Sequence, residues 1–138
     1  MTNKIIVFDS YALLCFFKKE TGYEQVKKIL EQAEKKEIEI LFSTVNLTEV
    51  YYSILREFGE NRANEVLTLI DSLCITIIDV GRELSIVAAR IKSIHAIALG
   101  DCFAIGLAKL NNAKVITGDP EFKKLQDEVE IIWLPPNK

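Results

Sequence analysis

The sequence predicts an α/β domain whose parallel sheet is covered by helices on both faces. Three observations predict it. Short apolar runs rich in β-branched residues recur at 4–8, 38–42, 74–80, 114–117 and 130–134. Segments with apolar residues at helical spacing lie between them. The 138 residues, 49% of them hydrophobic, suffice for one domain with a substantial core.

Each element follows from its own residues. KIIVF at 4–8 is continuously apolar after its lysine, as a parallel strand buried on both faces requires. Ser10 is placed to cap a helix over 11–18. A second helix fits 22–36, with Tyr23, Val26, Ile29, Leu30 and Ala33 on one face. A second strand fits 38–42. Thr44 is placed to cap a helix that runs to Phe58, where Gly59 stops it. Another helix fits 60–73. CITIIDV at 74–80 reads as the third strand, and 82–94 as a helix. Asp101 is read as opening the helix that carries Phe103, Ala104, Leu107 and Ala108. The fourth strand is 114–117, a short helix fits 120–126, and the last strand is 130–134. Pro135-Pro136 ends the packed chain. No repeat, low-complexity segment or linker interrupts this order, so 1–138 is expected to be a single domain.

Composition removes several classes. No apolar run reaches the roughly 18 residues of a membrane span. The start, MTNKIIVFDS, lacks a secretion signal's long apolar stretch. A cytoplasmic protein without membrane attachment is expected. Cys15, Cys74 and Cys102 are widely spaced and form no C-x-x-C. They read as buried free thiols rather than a disulfide or zinc framework. His95 is the single histidine, too isolated for a triad or zinc site, and reads as a helix-end residue. The net charge of −3 carries no global footprint of nucleic-acid binding. The lysine pairs at 18–19, 27–28, 35–36 and 123–124 read as solvated helix faces.

Four carboxylates stand apart from the rest. Asp9 closes the first strand in KIIVFDS, and Asp119 follows the fourth in KVITGDPEF. Ligands of parallel sheets bind beyond the carboxyl ends of strands, near a topological switch point. These two acids converge if their strands are neighbours. Asp101, in LGDCFAIGLA, adds a carboxylate from a helix N-terminus. Glu49 sits among Val45, Leu47, Val50 and Tyr51. A carboxylate there is costly unless paired, protonated or metal-bound. Each acid has an ordinary alternative: a strand-end cap for Asp9, an N-cap for Asp101, a turn for Asp119 and an ion pair with Arg56 for Glu49. Together they suit a hard divalent cation, and metal-assisted phosphodiester hydrolysis is the leading reading.

The ordered set of motifs resembles the PIN domain, the fold of VapC-like ribonuclease toxins of type II toxin–antitoxin pairs. I-V-F-D-S-Y-A-L-L resembles its first acidic motif and T-V-N-L-T-E-V its second. G-D-C-F-A-I-G-L-A resembles the third, and V-I-T-G-D-P-E-F the fourth. The likeness spans nearly the whole chain; Cys102 and Gly106 stand where small alanines are commoner. The resemblance implies a three-layer α/β/α domain with a five-stranded parallel sheet in the order 3-2-1-4-5. It implies an acidic pocket of Asp9, Glu49, Asp101 and Asp119, braced by hydrogen bonds from Ser10 and Thr117. It also implies an endoribonuclease that uses one or two Mg²⁺ or Mn²⁺ ions and leaves a 5′-phosphate and a 3′-hydroxyl. An antitoxin partner and a homodimer are expected on the same ground.

Other readings meet obstacles in the residues. A receiver domain wants an acidic pair after its first strand and a lysine after a late one, but Asp9 is single and Pro135 follows the last strand. An aspartyl phosphohydrolase wants D-x-D, and Tyr11 fills the second position. A non-catalytic module that binds RNA or protein is the stronger rival. Phe16, Phe17, Tyr51, Tyr52 and Phe58 crowd the early helices; most read as core residues, and the remainder offer a homodimer face or a groove for an antitoxin segment.

Overall fold

Strand residues alternate between two separate apolar cores, which is why the strands read as unbroken apolar runs. In the computed structural model, which describes residues 4–136, Ile6 and Phe8 point into one core while Val7 points into the other. Ile40 and Phe42 oppose Leu41 in the same way, and Ile116 opposes Val115.

The strands are β1 (Lys4–Phe8), β2 (Ile38–Ser43), β3 (Thr76–Ile78), β4 (Lys114–Thr117) and β5 (Ile131–Trp133). All neighbouring pairs are parallel, and the order is β3-β2-β1-β4-β5. The helices are α1 (Ser10–Phe17), α2 (Tyr23–Glu34), α3 (Thr44–Phe58), α4 (Glu60–Ser72), α5 (Arg82–Ile94) and α6 (Leu99–Asn111). A 3-10 turn follows at Pro120–Leu125. Helices α1 to α4 cover one face of the sheet; α5, α6 and the 3-10 turn cover the other. The α/β/α layering and strand order expected from the resemblance are what the structure shows. No single described helix is long and apolar enough to cross a membrane.

Several expectations are corrected. The cap of α1 is Asp9, not Ser10: its carboxylate accepts from the Ala12 amide, and Ser10 is the first helical residue. Ser43 rather than Thr44 caps α3, accepting from the Asn46 amide. The Thr44 hydroxyl instead accepts from Val80 N at 3.1 Å and ties the exit of β3 to α3. Helix α6 begins at Leu99, so Asp101 lies within its first turn and is not its cap. The helix expected at 22–36 is Tyr23–Glu34, preceded by Gly22 at φ +105°, a left-handed conformation that favours glycine. The third and fifth strands shrink to three residues each, and 120–126 winds as a 3-10 turn. Cys15 and Cys102 are buried as expected, but Cys74 is exposed, because it precedes β3 in a turn. His95 caps the end of α5 and pairs with Glu128.

The register places the site. Phe8 lies opposite Ile116, so Asp9 and Thr117 leave the sheet side by side. Connections from β1 and β4 go to opposite faces there, which opens a crevice at the sheet's carboxyl edge.

Candidate active site

Asp9 is held from two directions. Its Oδ1 accepts from Ala12 N at 2.9 Å and its Oδ2 accepts from Thr117 Oγ1 at 2.5 Å. The side chain is 1% exposed. Burial pushes its carboxyl up to about 8. The two hydrogen bonds oppose that rise, and the negative fields of Asp101 and Asp119 add to it. Thr117 also accepts from Asp119 N at 3.0 Å, so one buried hydroxyl ties both strand-end acids together.

Asp119 is partly exposed and caps the 3-10 turn, its Oδ1 accepting from Glu121 N at 2.9 Å. Asp101 projects from the first turn of α6 and is 7% exposed. Its Oδ2 is buried and has no hydrogen-bond partner. Burial pushes its carboxyl up to about 7, and repulsion from Asp119, Glu49 and Glu121 contributes. Glu49, on α3, accepts from Asn46 Nδ2 at 3.0 Å through Oε1. The Arg56 pairing considered for it does not form: the Arg56 guanidinium lies 5.8 Å from the Tyr52 ring centroid.

Asp9, Asp101 and Asp119 therefore share one electrostatic field, and Glu49 joins it through Asp101. Thr117 makes side-chain hydrogen bonds to both Asp9 and the Asp119 backbone. Ser10 forms no side-chain hydrogen bond among the described residues, so its expected bracing role has no contact behind it. Glu121 acts on Asp101 and was not singled out from sequence. Nor were Asn46 and Gly100, which flank the Glu49 carboxylate, or Ser43, which holds Asn46. The available signal was Asn46's place one helical turn before Glu49, on the apolar side of α3.

Tyr11 closes one side. Its ring packs against Gly118, where an added Cβ would lie 2.3 Å from the ring. Burial pushes the phenol up, and the nearby Cys15 thiol, Glu20, Asp9 and Asp119 add to this. Gly118→Ala is expected to force the ring or the 117–119 segment aside, at a cost of about 1–3 kcal/mol. A urea unfolding curve reads this directly; an unchanged midpoint would show that the ring yields freely.

The arrangement fits a divalent cation in one specific respect. A buried carboxylate oxygen without a partner, facing further carboxylates, is a group that lacks only positive charge. Among the described residues, no three His, Cys, Asp or Glu side chains stand close enough to form a ready-made metal cage. Mg²⁺ commonly takes only one or two carboxylates directly and keeps its waters.

A family model described as "PIN domain" matches residues 6–128. The chain belongs to the PIN domain family. No curated protein matches it. Among solved structures, this PIN domain superposes on VapBC2 from Rickettsia felis bound to a promoter DNA fragment. The TM-score is 0.75 at 17% identity, over 95% of this chain and 99% of that one. DNA-bound VapBC from Salmonella typhimurium gives 0.73 at 17% identity, over 95% and 98% of the two chains. VapC20 from Mycobacterium tuberculosis, described as a sarcin-ricin loop cleaving toxin, gives 0.71 at 14% identity, over 86% and 93%. At these identities the likeness establishes the fold.

Proposed function

We propose that this PIN domain is a divalent-metal-dependent endoribonuclease that hydrolyses RNA phosphodiester bonds, and that it is the cytoplasmic toxin of a toxin–antitoxin pair. The observation that carries the reading is the buried, unpartnered Oδ2 of Asp101 beside the other acids. Such a cluster would repel RNA, itself a polyanion, so a substrate phosphate approaches only when cations neutralise the pocket.

Asp9 and Asp101, or Asp9 and Asp119, are the direct ligands in this reading, and Glu49 holds a water or a second ion. When bound, Mg²⁺ or Mn²⁺ supplies Lewis acidity and lowers the pKa of a coordinated water. The protein supplies position. Asp9 is locked by the Ala12 amide and the Thr117 hydroxyl, so its oxygens reorient little during reaction. Thr117 fixes the backbone from which Asp119 projects. Asp101 is held on α6, whose buried residues lock it against the sheet.

An antitoxin partner is supported by solved neighbours described as a toxin–antitoxin complex from Klebsiella pneumoniae and as a member of the VapBC family of toxin–antitoxin systems from Mycobacterium tuberculosis. Tyr52, Leu55 and Phe58 are exposed along α3 and support an apolar contact with a second copy or an antitoxin. The test is cleavage of an RNA panel by purified protein with Mg²⁺, Mn²⁺ or EDTA, with Asp9→Asn in parallel. Cleavage that needs the metal and disappears in the variant supports the proposal. Cleavage that survives EDTA, or is unchanged in Asp9→Asn, overturns it.

A further inference from the structure

Asn46 is buried, polar and unused by the chemistry above. It is 0% exposed and lies three residues before Glu49 on α3. A buried primary amide needs partners for both its oxygen and its nitrogen. Its Oδ1 accepts from Ser43 Oγ at 2.8 Å. Its Nδ2 donates to Glu49 Oε1 at 3.0 Å and to the Gly100 carbonyl at 3.2 Å. Gly100 immediately precedes Asp101, so one amide joins the α3 carboxylate to the first turn of α6.

Gly100 completes the arrangement by lacking a side chain. A Cβ there would lie 2.3 and 2.4 Å from the two Glu49 carboxylate oxygens. Positive-φ glycines occur at Gly22 and Gly59, not here, so the requirement is space rather than backbone conformation. The Glu49 carboxylate fills the volume that a side chain at 100 would take. Glu49 and Asp101 repel one another, and a glutamate has freedom enough to swing away. The amide bond and the glycine gap oppose that escape.

We infer that Asn46 is a positioning residue that acts through Glu49: with Gly100, it holds the Glu49 carboxylate against the start of α6 and so sets the affinity of the pocket for a divalent cation. The inference rests on the metal-binding reading above. The alternative is that Asn46 only supports the beginning of α3, where its backbone amide is capped by Ser43.

The two are separated by Mn²⁺ titration of the full chain, read by calorimetry without RNA. The variants are Asn46→Ala, Asn46→Asp, Gly100→Ala, Glu49→Gln and the Asn46→Ala/Glu49→Gln pair. Asn46→Asp sets a carboxylate against Glu49 and expels it; Gly100→Ala expels it with Asn46 intact. Each single variant is expected to weaken Mn²⁺ binding about 10- to 100-fold. The double variant is expected to be no weaker than Glu49→Gln alone, because residues acting through one group are not additive. Circular dichroism identifies any variant that fails to fold, and Gly100→Ala carries the test if those at Asn46 do. Wild-type affinity in a folded Asn46→Ala or Gly100→Ala, or full additivity with Glu49→Gln, overturns the inference while leaving the metal reading in place. A wild-type chain that takes up no Mn²⁺ overturns both.

Discussion

Asp101→Asn is expected to reduce RNA cleavage by on the order of a thousandfold while making the metal-free fold more stable at pH 8. The opposite signs have one origin. Ionised Asp101 is buried, its Oδ2 has no partner, and three acids repel it. Its carboxyl is pushed up to about 7, so keeping it charged at pH 8 costs free energy. An amide removes the charge, and its NH₂ finds itself among acceptors instead of repelling oxygens. A gain of about 1–3 kcal/mol in metal-free stability follows. The same amide is a far poorer ligand for a hard cation, which is why cleavage falls. An acid kept for structure would behave otherwise, losing stability when neutralised. The measurement pairs a cleavage time course with urea unfolding in EDTA. Cleavage retained within a fewfold, or a variant less stable than wild type at pH 8, would contradict the assignment. Asp9→Asn shares the functional loss with a smaller stability gain. Asn keeps the Oδ1 that accepts from Ala12 N, but exchanges the oxygen that accepts from Thr117 for a nitrogen that donates.

How much of this was legible beforehand depends on the range of the interaction concerned. The strand positions were open to reading because burial on two faces leaves continuous apolar runs, as in KIIVF. The strand order was not in the periodicity at all; it came from resemblance, and the pairing of Phe8 with Ile116 bears it out. Helices α1 and α6 start one and two residues before the positions that the sequence predicts, and the caps of α1 and α3 also sit one residue earlier, for a local reason. Asp9 and Ser10, or Ser43 and Thr44, are adjacent residues that can each cap a helix. The choice between them is made elsewhere. Thr117, distant in sequence, fixes Asp9, while Asn46 engages Ser43 and leaves Thr44 free to bind Val80. The third strand starts later than the sequence predicts: Cys74 and Ile75 are apolar and strand-prone, yet the chain turns there through Ile75 N to Leu73 O.

The acids announced themselves because a carboxylate at a strand end or inside an apolar helix is conspicuous. Their supporting residues did not. Asn46 looks like an unremarkable helix polar residue until Gly100, in a different layer of the fold, is brought to 3.2 Å from its amide. Gly118 likewise reads as a turn glycine until Tyr11 packs on it. Sequence shows which residues carry charge; only the fold shows which neutral groups hold that charge in place.

In EDTA, the stability of the protein is expected to fall as pH rises from about 5 to about 7, opposite to the usual behaviour of a domain whose carboxylates are paired. Burial raises Asp9 to about 8 and Asp101 to about 7, well above the 3.8 of a free aspartate. Between roughly pH 4 and pH 8 the folded chain therefore binds more protons than the unfolded chain. Stability rises with pH only where the unfolded state binds more, so here the slope is negative. The contribution is fully present below about pH 4 and is lost progressively up to about pH 8. Each proton is worth up to about 1.4 kcal/mol per pH unit, and mutual coupling of the two acids reduces their sum. A loss of about 1 kcal/mol per unit, or about 3–5 °C in Tm, is expected between pH 5 and 7. Glu128, held low chiefly by Lys109, has the opposite sign but acts below this window. If the proposed metal binding holds, saturating Mg²⁺ or Mn²⁺ is expected to take the place of the protons and flatten the curve. An ion at 100 times its Kd would add about 2.7 kcal/mol, and less at low pH, where protons compete for the same carboxylates. Thermal melts at pH 5, 6, 7 and 8, with EDTA and with metal, check this. A metal-free curve that is flat or rising, or one that Asp9→Asn and Asp101→Asn leave unchanged, would show that these acids are not held charged against their own repulsion. The repulsion that weakens the metal-free fold is the one the proposed cation would relieve, so the pH dependence and the expected metal affinity are two readings of one electrostatic cost.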